Sequence, residues 1–431
     1  MRPVYMVSGG ISKFAKARPD RTFQGLAKEA FDYAMNDVPE LTLDMIDASV
    51  SSYFSDHFQR QFMSGIMATD YLGLCPKPAR RIEGGGATGG LCIQSAWEMI
   101  ASGRSEVCAA YGFETMSHVN TWKGNEFIAL ASDVSFDYPV GGFYTGYYAM
   151  MVVRHMQEYG TTPEQLAAVS VKNHANAFHN PYAQKRMKLT IEDVRNAPMV
   201  AWPLTRLDVC VMSDGAACVI LASEEAAKKL TDKPVLIRGV GTGTDAMRMA
   251  DRPHLKVPLL PNEKEEDYKD LKYPGVHSFR AGRMASKQAY EHAGIKDPLK
   301  EIDFIELHDA YTSSEIQTYE DMGLCKYGEG GEFAASGKPF LKNIDYGLEF
   351  PDKSQVGLCP VNPSGGLIAC GHPVGATGIM QGVFALWQLQ GTIEKHLNDK
   401  TIQIPDAKVG AIHSHAGTGT YVTVSILEKA F

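Results

Sequence analysis

The sequence predicts a layered α/β fold made of two similar halves, with a separate cap inserted into the first. Three observations carry that prediction. Short β-branched or apolar runs alternate with helical stretches along the 431 residues. The tetrapeptide Gly86-Ala87-Thr88-Gly89 heads one helical segment and recurs as Gly375-Ala376-Thr377-Gly378 at the head of another. A long aromatic-rich excursion breaks the alternation in the first part only.

The elements follow in chain order. Residues 4–9 read as a strand, and 23–35 as an amphipathic helix whose Leu26, Ala30 and Ala34 recur at helical spacing. The first echo opens the helix GGLCIQSAWEMI, and residues 107–112 (VCAAYG) form a buried strand. Phe136, Tyr138, Phe143, Tyr144, Tyr147 and Tyr148 then crowd together, and polar helix formers run on from Thr162. This excursion places the cap or lid at 115–208; a simple helical subdomain describes it equally well. Strands resume at 218–222, 235–240, 304–307 and 421–426, and the second echo opens the helix IMQGVFALWQL. A break near 225–233 divides the chain into halves at 1–228 and 229–431.

Composition narrows the function. The chain is 44% hydrophobic and 21% charged, which excludes disordered, collagenous and coiled-coil classes. Its net charge of −8 and pI near 5.9 argue against a nucleic-acid binder, which needs a basic surface. Mean hydropathy is −0.19, and no apolar run approaches the ~18 residues of a membrane span. The opening MRPVYMVSGGISKFAK has no apolar h-region, so a cytoplasmic protein is expected. Eight cysteines are scattered without a C-x-x-C pair, the pattern of reduced, buried thiols.

Both echoed turns set bare N–H groups at a helix start, where the dipole favours thiolates, oxyanions or phosphates. Gly-rich turns before helices also serve close packing, so this signal alone is weak. The second turn is more specific: Val361-Asn362-Pro363-Ser364-Gly365-Gly366 leads to Cys370-Gly371-His372-Pro373. A histidine between Gly and Pro has no neighbouring side chains to enclose it, and it is suited to act as a general base. His308, in Glu306-Leu307-His308-Asp309-Ala310-Tyr311, follows an apolar run at a strand end. His413 and His415 precede a further Gly-rich turn. No other ligand cluster accompanies this His-x-His, so no metal is expected.

The segments RIEGGGATGG, VCAAYGFETMS, YGTTPEQLAAVSVKNHANAFHNPYAQ, LDVCVMSDGAACVILAS, IELHDAYTSSEI and VNPSGGLIACGHPVGATG together resemble the thiolase superfamily, in its sterol-carrier-protein-type and archaeal-type branch. The resemblance spans essentially the whole chain. It implies a duplicated five-layered α-β-α-β-α fold, each half a five-stranded sheet between helices, with an inserted loop domain. It also implies coenzyme A and an acyl-CoA as substrates, a homodimer, and a small partner combining an OB-fold with a zinc finger. The aromatic-rich insert suggests a bulky aromatic acyl group such as that of benzoylsuccinyl-CoA, as in anaerobic aromatic degradation.

Carried over residue by residue, the resemblance makes His372 the base and His308 the group that helps bind the thioester carbonyl. The nucleophile position, cysteine in thiolases, holds Gly86, and the later acid/base cysteine falls at roughly His413. Cys92 lies inside a helix and Cys370 too close to His372, so neither is a convincing substitute. Arg248, Arg252, His254, Lys256 and Lys123 are candidates for the coenzyme phosphates, as is the Gly375 turn. Several readings stay open at this stage. The glycine is a deliberate substitution made to trap a complex, or coenzyme A attacks the keto carbon directly in a Cys-free thiolysis. Alternatively the chain is a retro-aldolase for 3-hydroxyacyl-CoA, or a non-catalytic subunit.

Overall fold

The computed structural model describes residues 1–252, 254–269, 271 and 275–430. Its strands are β1 (Val4–Ile11), β2 (Ala48–Ser52), β3 (Ala79–Ile82), β4 (Val107–Thr115), β5 (Met199–Ala201), β6 (Leu204–Thr205), β7 (Asp214–Ser223), β8 (Val235–Thr244), β9 (Phe304–Glu306), β10 (Val409–Ala416) and β11 (Tyr421–Lys429). The helices that build the layers and the site are α1 (Phe23–Asp37), α2 (Thr88–Ala101), α3 (Thr121–Ala129), α4 (Tyr144–Tyr159), α5 (Pro163–Phe178), α6 (Arg280–Ala293), α7 (Thr312–Asp321) and α8 (Val374–Gln390).

Duplication is visible in the strand order. The first half runs β3-β2-β4-β7-β1, and the second runs outward from β8 as β8-β11-β10-β9. In each half the first strand pairs antiparallel with the last, the last antiparallel with the one before it, and the remaining pairs are parallel. Pairing of Tyr5 with Leu236 and Met6 with Val235 joins the halves into one nine-stranded sheet.

Among the described residues the second half has no full fifth strand. The isolated bridge Ile305–Val361 stands where β3 stands in the first half. The reason is local: Asn362 adopts φ 53° and Pro363 has no N–H to donate, so the ladder ends at once.

The layers follow from burial. α1 covers the outer face of the first half, and α6 that of the second; α2 and α8 lie side by side between them. All 17 residues of α8 are buried, and it contains no charged side chain. A helix buried on every side has protein on every side, and its Thr377, Gln381, Gln388 and Gln390 find hydrogen-bond partners there. By contrast α1 buries one face only, through Phe23, Leu26, Ala27, Ala30, Phe31 and Ala34, and Thr22 caps its start by accepting from Gly25 N–H. The two echoed turns meet where the central helices cross: a Cβ on Gly89 would lie 2.6 Å from the backbone nitrogen of Gly378. Close helix packing is therefore one use of the repeated motif.

Between β4 and β7 lie α3, α4, α5 and the β5–β6 ribbon. α5 opens with a capping box of Thr162 and Gln165, with Pro163 in its first turn. It packs on α7 and on the helical turn Gly366–Cys370. A fully buried ion pair of Lys172 with Glu315 (2.9 Å) and hydrogen bonds from Asn173 to Asp309 and Glu315 lock it there. The insert is thus keyed into the second half through polar bonds. Such a network is costly to break, because removing one partner strands a buried charge. Among the described residues no helix is long and apolar enough to cross a membrane.

Candidate active site

Three strand or helix ends bring three histidines together. His308 follows β9, His372 stands two residues before α8, and His415 lies near the end of β10. The His308 ring centroid is 5.0 Å from that of His372 and 4.2 Å from that of His415. All three line one pocket with Gly86, at the approach to α2, and with Tyr144, Tyr148, Cys210 and Tyr311.

Hydrogen-bond chains set the tautomers. The Thr377 hydroxyl donates to the Pro373 carbonyl (2.9 Å), so it accepts from His372 Nδ1–H (2.8 Å). His372 Nε2 is left unprotonated for the pocket. The Ser213 hydroxyl accepts from His372 N–H and fixes the turn. The Tyr148 hydroxyl donates to the Gly417 carbonyl (2.8 Å) and accepts from His415 Nε2–H (2.7 Å). His415 Nδ1 is then a lone pair, and neither it nor His308 Nδ1 has a hydrogen-bond partner among the described residues.

Burial pushes all these imidazoles down. His372 and His413 fall to about 3, and His308 and His415 lie well below the usual histidine range. For His308 and His415, burial is the main cause and neighbouring imidazoles add to it. At neutral pH the cluster is uncharged, with ring nitrogens that can accept or donate hydrogen bonds.

Gly86 is packed from the far end of the chain. A Cβ there would sit 2.4 Å from the His415 carbonyl oxygen and 3.1 Å from His308 Cε1. The backbone as it stands has room for glycine alone. The cysteines do not fill its place: burial pushes the thiol of Cys92 up to about 12, and the buried Cys370 thiol is also raised. Cys210, which the sequence reading passed over, does line the pocket, and burial pushes its thiol up to about 12 as well.

Other expected residues fall elsewhere. His413 shares a strand face with His415 but lies deeper and is not part of the lining; its Nδ1 accepts from the His308 backbone N–H at 3.5 Å. His415, not His413, is the terminal-strand group at the pocket. Gly375 is turned inward, its N–H donating to Glu114 and its carbonyl accepting from Ser52, so neither group is free for a ligand. Arg252 is buried and donates to the carbonyls of Gly275 and Thr418. Arg248 pairs with Asp137 and Asp251, Lys256 with Glu265, and Lys123 with Glu126. These cations already have partners and none lines this pocket. Their signal in the sequence was charge alone, which says nothing of partners remote along the chain.

A duplicated, five-layered α/β fold with a histidine-lined pocket between its halves and insert defines a class of enzyme-like scaffolds. Residues 4–225 match the family described as thiolase, N-terminal domain, and residues 269–429 that described as thiolase C-terminal domain-like. The chain belongs to the thiolase family. It is 35% identical over 430 residues to an acetyl-CoA acetyltransferase of Methanothermobacter thermautotrophicus, covering 100% of both chains. It is 31% identical over 381 residues to the benzoylsuccinyl-CoA thiolase subunit BbsB of Thauera aromatica, covering 88% of this chain and 87% of that one. Among solved structures it is similar to the Ltp2-ChsH2(DUF35) aldolase, with TM-score 0.76 and 24% identity over 99% of this chain and 98% of the other.

Proposed function

We propose that this chain makes or breaks a carbon–carbon bond at the β-carbon of a coenzyme A thioester, as an acyltransferase of thiolase type acting on a 3-oxoacyl-CoA. The observation that carries the reading is the convergence of three neutral imidazoles on one pocket wall beside Gly86. The acetyl-CoA acetyltransferase similarity supports it.

The chemistry then runs without an acyl-enzyme at position 86. His372 Nε2 takes the proton of the incoming coenzyme A thiol. The thiolate attacks the 3-oxo carbon, and His308 with the start of α2 steadies the oxyanion. The C2–C3 bond breaks as the oxyanion collapses to the new thioester, and its electron pair leaves as the enolate of the shorter acyl-CoA. That enolate takes a proton from the imidazolium. Condensation is the reverse.

A second reading, retro-aldol cleavage of a 3-hydroxyacyl-CoA, is favoured by the crowding at Gly86. Thiolysis without an acyl-enzyme needs two coenzyme A arms at once, whereas a retro-aldol needs one. The similarity to the Ltp2-ChsH2(DUF35) aldolase supports it. The names of that structure and of the Thauera subunit also support a second chain as partner, beside a homodimer.

One assay set decides. Cleavage of a 3-oxoacyl-CoA is followed with and without free coenzyme A, in the parent and in Gly86→Cys, beside cleavage of the matching 3-hydroxyacyl-CoA. The thiolase reading expects the parent to cleave the 3-oxo substrate only with coenzyme A. If free coenzyme A has no effect in either version, that reading is wrong. Cleavage of the 3-hydroxy substrate without coenzyme A consumption establishes the second reading.

A further inference from the structure

Beside the histidines runs a stretch of pocket wall of another kind. Phe54, Met116, Ile128, Met212 and Val374 line it, and with Phe58 and Phe127 they form a small apolar cluster separate from the main cores. Ile128 of α3 and Met116, just past the end of β4, bring the insert into this wall. Among the described residues that line the pocket, none is Asp, Glu, Lys or Arg. A carboxylate carried into such a wall would lose its hydration with no cation to replace it.

The Met212 side chain lies across Gly124 of α3: a Cβ on Gly124 would meet Met212 Cε at 2.1 Å and Sδ at 2.8 Å. Methionine is unbranched and mobile, so an added methyl would displace it and would not break the helix. Displaced or shortened, this side chain changes the space left for an acyl group.

We propose that this wall is an acyl subsite for an uncharged apolar group, aromatic or alicyclic, and that Met212 resting on Gly124 sets its depth. The proposal rests on the reading of the pocket as a site for acyl-CoA. It separates two kinds of bulky acyl group. An aryl or cycloalkyl end matches the wall. An end bearing a second carboxylate, such as the succinyl unit of a benzoylsuccinyl thioester, does not.

Binding, read without turnover, tests it. Calorimetric titration with acetyl-CoA, 4-phenylbutanoyl-CoA and glutaryl-CoA, none of which has a 3-oxygen to react, gives three dissociation constants. The parent should prefer the phenyl thioester over the carboxylate one by about tenfold or more. Gly124→Ala and Met212→Ala should move the phenyl-to-acetyl affinity ratio in opposite directions, and Met212→Lys should raise the relative affinity for glutaryl-CoA. The proposal is overturned if glutaryl-CoA binds the parent as well as the phenyl thioester. It is equally overturned if neither Gly124→Ala nor Met212→Ala alters the ratio. Failure of all three thioesters to bind would instead overturn the acyl-CoA reading itself, and this subsite with it.

Discussion

The approaches to α2 and α8 occupy equivalent places in the two halves, yet they have been put to different uses. Each carries the same Gly-Ala-Thr-Gly turn, and the two helices touch through Gly89 and Gly378. At α8 the turn is preceded by His372, and the turn's own Thr377 holds that ring in one tautomer. At α2 the turn opens with Gly86, whose missing side chain leaves room for the His415 carbonyl and the His308 ring. The packing surface is common to both halves, while the histidines that line the pocket come from the second alone.

The largest test removes the group. His372→Ala should lower kcat by 10²- to 10⁴-fold, the usual contribution of a general base, with circular dichroism and melting unchanged in form. A variant as active as the parent would make α8 a packing element like α2 and would leave the asymmetry without a function. Filling the space is the next largest change. Gly86→Ala brings a methyl against a backbone carbonyl that cannot rotate away, and overpacking of this kind costs about 1–3 kcal/mol. Denaturant titration measures that cost, and a neutral result would show that the first turn is looser than its neighbours require. Thr377→Val is milder, because it keeps the packing and frees the His372 ring to choose its tautomer. We expect kcat to fall about tenfold with KM little changed. An unaltered kcat would mean that Pro373 and Ser213 suffice to hold the ring.

Much of this asymmetry was legible in the sequence, and the reasons differ by residue. The Gly-Ala-Thr-Gly echo shows the duplication because glycine at a tight helix crossing tolerates no substitute. His372 stands out because it lies between Gly and Pro, but the burial that lowers its pKa comes from residues remote along the chain such as Ser213 and His308, which the sequence does not display. His415 was harder to single out from His413, since both lie on one strand face and only depth in the sheet separates them. The basic residues misled for a related reason: Arg252 is spent on the Gly275 and Thr418 carbonyls, and Arg248 on Asp137, partners that no local pattern reveals. The crowding at Gly86 comes from β10, at the other end of the chain, and was invisible before the fold was known. The short second sheet follows from Asn362-Pro363, which the sequence displays but whose neighbouring strand it does not.

The smallest predicted effect concerns the histidine that lies behind the site. Burial holds His413 at about 3 in the folded chain, whereas an exposed histidine titrates near ~6.5. Between those values the unfolded chain binds a proton that the folded chain refuses, so stability falls as pH drops from ~6.5 toward 3. His308, His372 and His415 act in the same direction. Glu114 and Glu306 oppose them: burial raises both to about 7, so the folded chain keeps protons that the unfolded one sheds, and stability falls as pH rises through ~4.5 to 7. His413→Gln removes one histidine from this balance while keeping an acceptor for the His308 N–H. Proton uptake on unfolding near pH 5 should drop by about one, flattening the stability slope by ~1.4 kcal/mol per pH unit. Urea titrations at pH 4.5, 5.5 and 6.5 read that slope directly. An unchanged slope would mean that His413 is already protonated in the folded chain, and the case for an uncharged histidine cluster serving the α8 side of the pocket would fail with it.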